Sequence, residues 1–177
     1  MASLAQTDAK YKRDHLTVAQ MSSDGEQHEF YAIARDPLSQ YTSMYYYAKG
    51  FVEQNLDFSD TPQPMLYAFI EHMKVIRQTN SLEEYLLNAP NNAFLGKYLS
   101  GMSPYDLLCV GLFDRFDESL KVIENVTGIT MYPVHLKKND YTPDTVSGDV
   151  LARFMSNNEL EYDLYRQCVD YFNKLRF

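Results

Sequence analysis

The junction Arg35-Asp36-Pro37 constrains this chain more than any other part of it. A short apolar run, residues 30–34, stops there and reads as a buried strand. Asp36 has the side chain of a helix N-cap. Pro37 then falls at the first helical position, where its missing N–H leaves no hydrogen bond unmade. The helix so opened runs to about Gln54, past a tyrosine-rich stretch and Gly50. Strand feeding into helix is the alternation of α/β folds.

The same alternation continues downstream. Residues 57–64 form a linker with Asp60, Pro62 and Pro64, and residues 65–78 carry apolar side chains at helical spacing. Ser81-Leu82-Glu83-Glu84 is a capping box that opens a short helix. Residues 90–104 read as irregular, and residues 107–113 as a second buried strand. Asp114 is placed to cap a helix that Gly128 ends. Residues 129–136 are expected to be a third strand, followed by a polar loop over 137–148. A short helical turn over 149–155 and a terminal helix opened by Asn158-Glu159-Leu160-Glu161 complete the chain. His15 to Met21 suits a helix, and residues 1–14 read as a loose N-terminal segment. The expected fold is one α/β domain over residues 1–177, a small, partly parallel sheet with many surrounding helices.

Charge and composition exclude several function classes. The net charge of -8 is the wrong sign for a general nucleic-acid binder, and disfavours a long polyanionic substrate unless a local basic cleft overrides it. Cys109 and Cys168 do not make a disulfide framework. The four histidines, at 15, 28, 72 and 135, are scattered, so no cluster has metal-ligand spacing. No signal-peptide core and no membrane-length apolar run is present, which sets a cytoplasmic location as the expectation. The 15 Tyr and 10 Phe, with no Trp, fit a core and a half-buried surface, or stacking on sugars.

The residues that suit chemistry centre on the same junction. Helix N-terminal amides carry partial positive charge, and Arg35 beside them adds a fixed charge with fork geometry for a phosphate. Ser43 lies about 10 Å along the helix from Asp36 and near the same face, where its hydroxyl can donate to that phosphate. The plain alternative is an arginine paired with an acid and a serine that is only a helix residue. Lys137 and Lys138 follow the third expected strand, at the edge where α/β sheets bind ligands; otherwise they are a solvated pair. His15 is the best-placed general base for an acceptor hydroxyl, against the alternative of an exposed histidine on the N-terminal segment. Neither His72 nor His28 has a companion that suggests catalysis.

Taken together, these segments resemble the carboxyl-terminal two-thirds of a sulfotransferase domain. They are most similar to the carbohydrate group that includes the heparan sulfate 2-O-sulfotransferases. The likeness spans roughly residues 15–173. It is carried by Phe30-Tyr31-Ala32-Ile33-Ala34-Arg35-Asp36-Pro37 with Ser43 and Tyr45-Tyr46-Tyr47. Gly111-Leu112-Phe113-Asp114-Arg115-Phe116-Asp117-Glu118-Ser119-Leu120, His135-Leu136-Lys137-Lys138-Asn139 and Asn158-Glu159-Leu160-Glu161-Tyr162-Asp163-Leu164-Tyr165 follow in order. The resemblance implies a truncated P-loop-like domain in which Arg35 and Ser43 hold the 3′-phosphate of 3′-phosphoadenosine 5′-phosphosulfate (PAPS). It implies that Lys137 and Lys138 close over the nucleotide and that His15 acts as base. In the reaction so implied, the acceptor oxygen loses its proton to the base and attacks sulfur in line, and 3′-phosphoadenosine 5′-phosphate (PAP) leaves. The acceptor is a hydroxyl compound, with carbohydrate as one class; no metal, nucleic acid or membrane is involved.

Two features depart from the family. Gln40 stands where members usually carry a second basic residue. Only fourteen residues precede His15, and none is Gly, so the family's 5′-phosphosulfate loop is not among them. The expectation is then weak or no transfer by this chain alone, unless a partner chain supplies the loop. The alternatives are a non-catalytic interaction protein, prone to dimerise through a sheet edge, and a binder of another nucleotide or anion through Arg35 and the lysines.

Overall fold

The structure, a computed structural model, describes residues 29–55, 64–91, 94–99, 101–130 and 144–175. Two parallel strands, β1 (Tyr31–Ala34) and β2 (Cys109–Leu112), form the sheet, with Ala34 opposite Leu112 at their carboxyl ends. The rest is mostly helical: α1 (Pro37–Glu53), α2 (Pro64–Gln78), α3 (Leu82–Asn88), α4 (Phe94–Leu99), α5 (Phe116–Thr127), α6 (Gly148–Asn157) and α7 (Glu159–Leu175). This is the expected α/β class, with the helical share dominant. Ile129 and Thr130, at the start of the expected third strand, are not in a strand; residues 131–136 lie outside the described residues. The helix expected over His15–Met21 also lies outside them. Among the described residues no helix is long and apolar enough to cross a membrane.

The junction forms as its residues dictate. The Asp36 carboxylate accepts the Ser39 N–H at 2.8 Å, and Pro37 occupies the first turn. At the other sheet connection the expected cap does not form. A 3-10 turn, Phe113–Arg115, precedes α5, and the cap residue Arg115 gives the helix no side-chain cap hydrogen bond. Ser119 replaces the cap from inside. Its hydroxyl accepts the Leu112 N–H at 2.7 Å and lies 2.8 Å from the Leu112 carbonyl. This folds the first turn of α5 back onto the strand end, and Asp114 is left to accept from the Tyr165 hydroxyl at 3.2 Å.

Residues 90–104, expected to be irregular, contain α4 and a 3-10 turn, Pro104–Asp106, closed by a capping box between Ser103 and Asp106. The short α4 is held from outside. The buried Glu161 carboxylate accepts the N–H groups of Leu95 at 2.8 Å and Gly96 at 2.9 Å. Glu161→Gln swaps one of these acceptors for a donor facing an N–H. A loss of about 1.5 kcal/mol in urea denaturation is expected; an unchanged midpoint would refute this role. The expected turn over 149–155 is a full ten-residue helix, α6. Asn158 does not cap α7 with its side chain, which turns back to the Phe154 carbonyl at 2.9 Å.

Two cores result. Tyr41, Tyr45, Met73, Tyr85, Leu86 and Phe154 fill one between α1, α2, α3 and α6. Ala34, Val110, Leu112, Val122, Cys168 and Phe172 fill the other around the sheet. The last helix, α7, joins them, with Tyr162 in the first core and Cys168 and Phe172 in the second. Every residue of β2 is buried, because both α5 and α7 pack against it.

Candidate functional site

The parallel register decides what meets at the carboxyl edge of the sheet. Because Ala34 pairs with Leu112, the next residues, Arg35 and Phe113, emerge side by side. The Arg35 guanidinium lies over the Phe113 ring, 4.5 Å from its centroid. Its Nε donates to the Ser39 hydroxyl at 3.0 Å. Ser43 follows Ser39 by four residues, so the two hydroxyls succeed one another along one face of α1, and Arg35 reaches the first of them from before the N-cap. Arg35, Ser39 and Ser43 are all half-buried, and Phe113 is exposed.

Two tyrosines of α7 reach the same edge. Burial, then Asp114 and Asp36, raise the Tyr165 phenol well above its ordinary range. Tyr162 is pushed up to about 12, first by burial and then by Asp36. Both therefore remain neutral near pH 7. The acidic groups of the corner are engaged locally: Asp36 caps α1, and Asp114 takes the Tyr165 hydroxyl. Arg115 forms a bidentate pair with Glu118, at 2.7 and 3.2 Å, and lies over Phe172. Arg35 lies beside the N-terminus of α1, against Ser39 and Phe113.

Neither thiol suits a nucleophile. Cys109 and Cys168 are buried, and burial pushes them up to about 11 and about 12. His72 is buried in the aromatic core, with Nδ1 2.8 Å from the Tyr85 hydroxyl and the ring stacked on Phe94. Burial lowers it to about 4, which suits a neutral packing residue. Among the described residues no group of three His, Cys, Asp or Glu gathers to hold a metal.

The structure places Arg35 at the corner and Ser43 in α1, one turn beyond Ser39. His15, Lys137 and Lys138 lie outside the described residues. The sequence reading gave Ser39 no role, and it took Phe113 and Tyr165 only as parts of the resembling segments, not as residues of the site. Ser39 had a signal, its place one turn before Ser43 in the helix that Pro37 opens. Phe113 and Tyr165 reach the corner only through strand register and the docking of α7, which no local pattern marks. No family model, curated protein or solved structure matches the chain.

Proposed function

We propose that this chain is a sulfotransferase-like protein whose sheet-edge corner receives the 3′-phosphate end of PAPS or PAP. The observation that carries the reading is the seating of Arg35. It leaves the end of a parallel strand, meets the N-terminus of α1, and is held by Ser39 and Phe113 with Ser43 one turn further on. A guanidinium held at the start of a helix suits a dianionic phosphate, and a hydroxyl further along the helix adds a donor. In this reading His15 is the base for the acceptor hydroxyl, and Lys137 and Lys138 cover the nucleotide. Transfer then rests on positioning and on stabilising charge at the leaving phosphate oxygen.

Calorimetric titration with PAP tests the reading. Saturable binding to one site is expected. Arg35→Ala weakens it by about thirtyfold, the scale of a lost charge-assisted contact, and Ser43→Ala by about fivefold. No binding at millimolar PAP overturns the assignment. A second reading, an interaction protein built on the same fold, is favoured by the outer face of α1. There exposed Tyr47 packs against Phe51 and Phe69, with ring centroids 5.0 and 5.6 Å away. Self-association without PAP affinity is the result that would favour it.

A further inference from the structure

We infer that Phe113 is a positioning residue for the Arg35 guanidinium, so that the anion site is assembled from both strands rather than from the β1–α1 unit alone. The function of this clamp rests on the phosphate-binding reading above; its existence does not. An arginine side chain has many rotamers, and fixing them at the moment of binding costs affinity. Here the guanidinium is fixed beforehand on two sides. The Phe113 face lies 4.5 Å below it, and the Ser39 hydroxyl accepts from Nε at 3.0 Å. The attraction between a cation and an aromatic face is electrostatic, so a leucine of similar bulk does not replace it and a tyrosine does.

The position of Phe113 is itself fixed. Leu112 is buried and paired with Ala34, Ser119 binds the Leu112 backbone, and the Phe116 ring lies 6.1 Å from the Phe113 ring. Yet the Phe113 side chain is 49% exposed. A large apolar ring so exposed contributes little to the core, which leaves its contact with Arg35 as the feature that uses it.

Two measurements on the full chain test this. In the free protein, the Arg35 Nε–H resonance is expected to be sharp and displaced by the ring current of Phe113. Phe113→Leu should broaden it and return it towards the free-arginine position, while Phe113→Tyr should keep it. In PAP titrations, Phe113→Leu should weaken binding by about fivefold, Phe113→Tyr should restore it, and Phe113→Leu should change nothing further in an Arg35→Ala background. An Arg35 resonance that ignores Phe113→Leu overturns the inference whatever PAP does. So does a loss of affinity that is the same with and without Arg35. If the resonance responds as expected but the wild-type chain does not bind PAP, the clamp stands and the PAP reading falls.

Discussion

Lowering the pH from 7 to 4.5 is expected to remove about 2.5 kcal/mol of fold stability through His72 alone. The imidazole is buried, between Tyr41 edge-on, Phe94 face-on and Tyr85, whose hydroxyl meets Nδ1. Burial holds its folded value at about 4, against 6.5 for a free histidine; Glu71 opposes the shift only in part. Between these two values the unfolded chain binds the proton and the folded chain does not. Stability is therefore fully present above about pH 6.5, falls as the pH drops, and levels off below about 4. The steepest slope is about 1.4 kcal/mol per pH unit.

Urea denaturation at pH 7, 5.5 and 4.5 measures the loss. His72→Asn provides the control. Its side-chain oxygen can still accept from Tyr85, so it lowers stability at every pH through the lost ring but flattens the slope over this window. An equal slope in the wild type and in His72→Asn would assign the acid lability to other groups. The prediction also separates packing from catalysis. A histidine that titrates near pH 4 inside an aromatic core is neutral at pH 7, and its role is to fill the space that α1, α2, α3 and α6 enclose.

What the sequence made legible follows the range of the forces involved. The β1–α1 junction was readable because Asp36, Pro37 and the apolar run act within a few residues of each other. The α2 and α3 helices were readable for the same reason: one has the 3.6-residue period and the other has Ser81 as N-cap. Glu84 does reach back, but to the Asn80 N–H rather than to that of Ser81. What failed depended on distant partners. Residues 94–99 have little of their own to hold a helix, and the carboxylate that orders them belongs to Glu161. Asp114 has a cap's side chain, but Ser119 closes the turn first and Tyr165 takes the carboxylate. The candidate site divides along the same line. Arg35 and Ser43 share one local element and were legible; Phe113 needed the strand register, which a sequence without the sheet does not specify.

Gly111→Val is expected to lower the unfolding free energy by about 3 kcal/mol, and Gly111→Ala by about 2 kcal/mol. A Cβ at this position would lie 2.7 Å from the Ser119 Cβ, 3.1 Å from its Oγ and 3.4 Å from Ile33 Cγ1. None of these neighbours can retreat cheaply. The Ser119 hydroxyl is tied to the Leu112 backbone and lies 2.9 Å from the Arg115 carbonyl. Moving α5 outward would uncover Ile123 and Val122, and β2 cannot shift the other way because α7 packs on it. A valine recovers under about 1 kcal/mol from strand preference and reduced unfolded-state freedom, which is smaller than the strain. The contact itself is tested by coupling. In a Ser119→Gly background, already weakened by the lost hydroxyl, Gly111→Ala should cost close to nothing further. The same displacement reaches the candidate site. Gly111 lies two residues before Phe113, so a strand pushed off its register moves the ring from beneath Arg35, and PAP affinity should fall with stability in Gly111→Ala. Equal penalties in both backgrounds would put the strain elsewhere and remove the Gly111–Ser119 approach as its cause.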